Sequence, residues 1–190
     1  MDRLPGARYR IIRSVAVIVI PDPSLIVLIG AAGAGKSTFA ARYFDTSEVL
    51  SSDAFRAAIA GDEADQRATR AAFAALHREL DRRLTAGRLT VVDATNVEAH
   101  ARRALIARAR AADVPVMAIV LDLPADVVLA RNAARAGRVV DEAVVRRHLG
   151  RLRQALDGPG PTLRDEGFAR VVVLRDPGDV AAVTLRRHRL

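Results

Sequence analysis

Residues 25–39 read LIVLIGAAGAGKSTF. The first five, Leu25 to Ile29, form an apolar run with the length of a buried strand. Gly30-Ala31-Ala32-Gly33-Ala34-Gly35-Lys36-Ser37 follows and matches the phosphate-binding pattern G-x-x-x-x-G-K-[ST] without a gap. Residues 38–44 then read as a helix. Strand, glycine-rich loop and helix is the order this motif requires. The glycines let the backbone turn with its N–H groups aimed at an anion, and the helix N-terminus adds a favourable partial charge. The stretch therefore predicts Gly33, Ala34, Gly35, Lys36, Ser37 and Thr38 around the phosphates of a nucleotide. Lys36 would reach the β and γ phosphates, and the Ser37 hydroxyl would bind Mg²⁺.

Composition sharpens this reading. Of 30 basic residues, 29 are arginine, and Lys36 is the only lysine. A compact ammonium on a flexible stem fits inside a phosphate cradle, where a guanidinium fork is a poor substitute. The same count excludes a GTPase switch, because its Asn-Lys-x-Asp base-reading motif needs a second lysine.

A chain of 190 residues predicts one domain with a proper core. The net charge of +8 favours an anionic partner such as a nucleotide or nucleic acid. The absence of cysteine excludes disulfides and thiolate metal sites. Aromatic residues make up 4% and tryptophan is missing, which argues against binding through many stacked bases. Residues 15–20 are apolar but too few to span a membrane, and Pro21-Asp22-Pro23 ends the run. Arginines precede that run, as in a signal peptide, but the next apolar segment is already the phosphate-loop strand. A cytoplasmic ATP-dependent protein is the expectation.

Residues 1–14 read as a basic N-terminal arm and residues 15–20 as an edge strand. Residues 48–51 read as a second strand, followed by a short helix at 53–60 and a long one at 65–86. Phe73, Leu76, Leu80 and Leu84 in the long helix are expected on one buried face. Further strands are expected at 89–92, 116–121 and 170–174. Helices are expected at 97–112, from Pro124, from Asp141 to 156, and from Asp176-Pro177 onward. Strands alternate with helices and lack polar alternation, which predicts an α/β fold with a parallel central sheet and helices on both faces.

Asp93 ends the third strand of this alternation, in the position of a Walker B acid, and could hold Mg²⁺ directly or through its water. A turn or cap role is the competing reading. Ala94 follows where many ATPases carry a water-activating glutamate. Asn96 is read as either a helix cap or a substrate contact. Asp53 follows the second strand, and Arg56 lies one helical turn on. An acid there could accept the proton of an attacking hydroxyl, and the arginine could hold an anionic group of the acceptor; a surface ion pair is the alternative. Arg131, Arg135 and Arg138 form a helical stripe. A lid carrying them would stabilise charge on a transferring phosphoryl group and exclude water, whereas a solvated basic face is the plainer reading. Arg146, Arg147, Arg151 and Arg153 are read as a solvated face, with a track for RNA or DNA as the alternative. The four histidines show no metal-ligand spacing and receive no role.

The chain resembles the kinase module of bacterial polynucleotide kinase–phosphatases of RNA repair. The likeness is carried by LIVLIGAAGAGKSTF at 25–39, EVLSSDAFR at 48–56, GDEADQ at 61–66, LTVVDATNV at 89–97, the arginine stretch at 129–138 and EGFARVVV at 166–173. It extends from about Ser24 to Val180 and implies a P-loop kinase fold, with residues 15–190 read as a single domain. It also implies transfer of the γ-phosphate of ATP or another NTP, with Mg²⁺, to the 5′-OH end of RNA or DNA. Carried over by position, Lys36 and Ser37 hold phosphates and Mg²⁺, and Asp53 activates the 5′-OH. Arg56 holds the adjoining phosphate, and Arg131, Arg135 and Arg138 belong to the lid, with Arg135 among the catalytic groups. The expected partners are nucleic-acid ends and no membrane, with the chain acting as a monomer or homodimer. Family enzymes commonly continue into phosphatase and ligase-like domains, and this sequence stops at Leu190, so 3′-end healing is not implied. A P-loop kinase of a sugar, metabolite or antibiotic hydroxyl is the alternative; a nucleotide-regulated switch or RNA-binding module is the non-enzymatic one.

Overall fold

All five positions of Leu25–Ile29 are buried, so this strand lies in the interior of a sheet covered on both faces. The computed structural model describes residues 8–12, 17–59, 66–136 and 139–190. In chain order its strands are β1 (Arg8–Ile12), β2 (Val17–Asp22), β3 (Leu25–Ile29), β4 (Val49–Ser51), β5 (Thr90–Asp93), β6 (Val116–Leu121), β7 (Arg170–Leu174) and β8 (Thr184–Arg189). Its α-helices are α1 (Lys36–Tyr43), α2 (Ser52–Ile59), α3 (Gln66–Thr85), α4 (Ala99–Ala111), α5 (Ala125–Ala133), α6 (Glu142–Asp157) and α7 (Pro177–Ala182). No helix among the described residues is long and apolar enough to cross a membrane.

Six strands form a parallel sheet in the order β1-β7-β6-β3-β5-β4. Side chains alternate across it, as strand geometry requires. Ile26 and Leu28 join Ile119 and Val172 in one apolar cluster. Leu25, Val27 and Ile29 join Ala118, Val120, Val171 and Val173 in the other. Each such side chain contributes about 1.5–3 kcal/mol through burial, which is why the strands need apolar residues on both faces. Helix α6 serves both clusters, with Val145 and Leu149 in the first and Leu152 and Leu156 in the second. Asp141 starts that helix by accepting hydrogen bonds from the N–H groups of Ala143 and Val144 at 2.8 and 3.3 Å. After β3 the chain builds one side of the sheet with β4 and β5, then returns to the other with β6 and β7. In open α/β sheets ligands bind at the carboxyl ends of strands where the order reverses, and the glycine loop begins there.

Four expectations change. The edge strand read at 15–20 is β2, which instead pairs in parallel with β8 in a separate two-stranded sheet. Its inward residues Ile18 and Ile20 are buried against the first cluster. Arg8–Ile12, inside the stretch read as an arm, pairs with β7 and forms the edge of the main sheet; the rest of residues 1–14 lies outside the described residues. Strand β8 was not anticipated: Thr184–Arg189 is nearly all polar and exposed. Phe73 is 36% exposed, because the inward stripe of α3 runs through Ala72, Leu76, Leu80 and Leu84.

Candidate active site

The glycine loop has the backbone its sequence calls for. Gly33 and Gly35 have φ of 87° and 93°, in the left-handed region that side chains disfavour. A Cβ at Gly33 would stand 2.5 Å from the Val128 carbonyl oxygen, so α5 packs directly against the loop. The Gly30 N–H donates to the Thr95 carbonyl at 3.0 Å, which joins the loop to the end of β5.

Lys36 opens α1 and is 8% exposed. Its Nζ donates to the carbonyls of Gly30 and Ala31 at 3.0 and 2.9 Å. Burial pushes its pKa from 10.5 down to about 8; Asp93 and then Asp53 oppose this, and Arg135 pushes further down. One ammonium thus feels the two acids and the arginine that sequence reading singled out separately.

Asp93, 6% exposed, accepts a 2.6 Å hydrogen bond at Oδ2 from the Ser37 hydroxyl. Two hard oxygens stand side by side, next to a buried ammonium that holds only carbonyls. Mg²⁺ takes such a donor set when phosphate oxygens and water complete its shell. Ser37 and Asp93 therefore fit that ion. Among the described residues no three His, Asp or Glu groups form a metal cage.

Asp53 stands in the first turn of α2, directly after β4. Ser51 pairs with Asp93 across the sheet, so Asp53 lies two residues past the level of that acid on the same edge. Its side chain is 67% exposed and pairs with Arg56, which is 35% exposed. A surface pair of this kind adds little stability; the carboxylate is open to a solute approaching the sheet edge.

Arg131 lies in the last turn of α5, with Nη1 at 3.7 Å from where a Gly35 Cβ would be, so its guanidinium overhangs the loop. Arg135 is exposed and within electrostatic reach of Lys36. Arg138 falls outside the described residues. In the later arginine cluster, Arg146 pairs with Glu142 at 2.6 Å and Arg151 pairs with Glu98.

Sequence reading missed three features around the site. Asn132, 4% exposed, donates to the Val140 carbonyl at 2.7 Å and accepts from the Val140 N–H at 3.2 Å. It therefore ties together the two ends of the arginine-bearing segment. Arg102 is 1% exposed and grips Glu166 with two hydrogen bonds of 2.7 and 2.5 Å. A third bond, 2.9 Å long, runs from Arg102 to the Asn96 carbonyl. The Asn96 amide in turn donates to the Leu28 carbonyl at 2.8 Å, with φ of 50°. Asn96 thus braces β3 against the end of β5. Finally, His148 on α6 has a buried Nδ1 without a hydrogen-bond partner. Burial, Lys36 and Arg147 all lower its pKa. Asn96, read from the sequence as a cap or a substrate contact, is instead the brace between β3 and β5; no spacing in the sequence marked Asn132, Arg102 or His148.

A family model for the AAA domain, AAA_33, matches residues 25–159, and the chain belongs to this family of P-loop kinases. No curated protein matches the sequence. Among solved structures, a chain of the Pnkp1/Rnl/Hen1 RNA repair complex has a TM-score of 0.61 at 20% identity over 70% of this chain. This chain spans 45% of that matched chain's length. A sugar kinase from Janibacter sp. HTCC2649 has a TM-score of 0.52 at 22% identity, covering 80% of this chain and 85% of its own. A gluconokinase from Sinorhizobium meliloti 1021 has a TM-score of 0.52 at 19% identity, covering 85% and 87%. These likenesses establish the shared fold: a parallel sheet flanked by helices.

Proposed function

We propose that this P-loop kinase is a 5′-hydroxyl polynucleotide kinase acting on RNA or DNA ends. The observation that carries the reading is Asp53, paired with Arg56 at the sheet edge, its carboxylate open to solvent and within the electrostatic field of Lys36. The NTP phosphates occupy the loop from Gly33 to Thr38, with Lys36 on the β and γ phosphates. Arg56 takes the phosphate adjoining the terminal nucleoside and aims the 5′-hydroxyl at the γ-phosphorus. As the O5′–P bond forms and the bond to the ADP oxygen breaks, the 5′-hydroxyl proton passes to the Asp53 carboxylate. Arg131, Arg135 and Arg138 spread the developing negative charge and keep water, the competing nucleophile, from the phosphoryl group. When bound by Ser37 and Asp93, Mg²⁺ supplies charge neutralisation at the phosphate oxygens. The excess of arginine suits a polyanionic acceptor.

The test is incubation with γ-labelled ATP, Mg²⁺ and either a 5′-OH oligonucleotide or a panel of sugars and sugar acids. Label on the oligonucleotide end is the expected result. Label confined to a small alcohol would overturn the acceptor assignment and leave a small-molecule kinase.

A further inference from the structure

A cavity of about 210 Å³ lies between α3 and α4, at the carboxyl end of β5. Of its walls, the site described above uses only Asn96, as a brace through its amide and carbonyl. Its floor is apolar and buried, with Leu76 and Leu105. Ala94, the residue after Asp93, also lines it, together with Val92, so the cavity opens at the same strand end as Asp93 but on the other face of β5 from its carboxylate. Its rim carries the exposed Phe73 and His100 and the half-buried His77. The Phe73 and His77 rings lie 6.5 Å apart, tilted by 50°. Phe73 is a large aromatic side chain off the inward stripe of α3, 36% exposed, and it stands at the cavity mouth.

Three properties define an occupant. The volume is below the about 300 Å³ at which drug-sized ligand pockets begin, so it suits one planar ring system. An apolar floor under an aromatic rim favours an uncharged ring that stacks. Two imidazoles, each with a nitrogen that donates or accepts, suit a ring with heteroatoms on its edge. Burial and Arg108 lower the pKa of His77, so it meets such a ring uncharged at neutral pH. The place in the fold adds a fourth property: α3 packs against α2, which carries Asp53 and Arg56.

We propose that this cavity seats the terminal nucleobase of the acceptor while its 5′-hydroxyl lies at Asp53, an inference that rests on the polynucleotide reading above. One stacked base is compatible with a chain poor in aromatic residues.

Two measurements on the whole protein test it. The first titrates adenosine and follows the imidazole NMR signals of His77 and His100, assigned with H77Q and H100Q. Both signals should move while that of His188 stays. The second compares transfer to a 5′-OH oligonucleotide with transfer to the same strand bearing an abasic 5′-terminal residue. The abasic strand should have a KM at least about five-fold higher, the lower end expected for one base–aromatic stack. Ala104→Leu, which fills the cavity, should erase that difference with the KM for ATP unchanged; the wild-type results do not depend on this variant folding. Equal KM values with unmoved histidine signals would overturn the cavity assignment and leave the kinase reading intact. Histidine signals that move, with no transfer to any oligonucleotide, would overturn the polynucleotide reading and retain the cavity as a heteroaromatic-ring site.

Discussion

Lys36 gives the protein a pH dependence that can be worked out from its surroundings. In the unfolded chain the amine stays charged up to about pH 10.5, whereas burial brings it to about 8 in the folded protein without nucleotide. Between these values the unfolded state binds more protons, so stability rises with pH across that window. At about 1.36 kcal/mol per tenfold change in proton affinity, the full displacement is worth about 3 kcal/mol. This cost of burying the charged amine is present in full below about pH 8 and is gone above about pH 10.5. The perturbation is Lys36→Met, which keeps the length and removes the charge. It also strands the carbonyls of Gly30 and Ala31, which now accept from Nζ. That loss offsets the comparison by about 1–3 kcal/mol, and its pH dependence is small beside that of the amine. Urea unfolding of both proteins at a series of pH values gives the stability difference directly, since every other titrating group is shared. Wild type should gain about 3 kcal/mol on the variant between about pH 7 and pH 10.5. The same displacement predicts that nucleotide phosphates, which favour the charged amine, draw in a proton on binding. Near pH 8.5 about three quarters of the amines start neutral, so calorimetry in buffers of different ionisation enthalpy should report an uptake of roughly that fraction. A stability difference independent of pH, together with no proton uptake, would refute the burial argument.

Three further outcomes follow from the site and its supports. Asp53→Ala should lower the turnover of transfer to a 5′-OH oligonucleotide by about 10²-fold or more, with ATP affinity retained in equilibrium binding. Gly33→Ala forces a side chain into the left-handed region and against the Val128 carbonyl, and should cost about 2 kcal/mol or more in urea unfolding along with most nucleotide affinity. Arg102→Ala leaves Glu166 buried without its cation and should cost about 3–5 kcal/mol, while Arg102→Met with Glu166→Gln should cost less; chemical denaturation distinguishes them.

The central strands were legible because their chemistry is local. Residues 116–121 and 170–174, read from apolar runs, coincide with β6 and β7. The loop is equally local, since its glycines, lysine and serine are consecutive. Asp93 and Asp53 could be placed at one edge because each follows a strand of a parallel sheet. Strand β8 escaped notice because Thr-Leu-Arg-Arg-His-Arg offers a single apolar side chain and pairs through its backbone. Phe73 was misplaced because step counting in Ala-Ala-Phe-Ala-Ala-Leu favours the large side chain, whereas the geometry of α3 turns Ala72 inward. The Arg102–Glu166 pair spans 64 positions, and nothing distinguishes Arg102 from the other arginines until the fold buries it. Asn132 is silent in the sequence for the same reason: its partner, the Val140 backbone, has no side-chain signature.

The missing side chain of Gly33 has a mechanical consequence. Because the loop rests on the Val128 carbonyl, it shares a foundation with α5, which also holds Arg131 above Gly35 and, through Asn132, anchors the far end of the arginine segment. The glycine loop, Arg131 and the two ends of the arginine segment thus share one support. Asp53 and Arg56 sit on α2, which leans on α3 and β4, a separate support. A substitution that loosens α2 against α3 would therefore leave the loop's own support on α5 untouched.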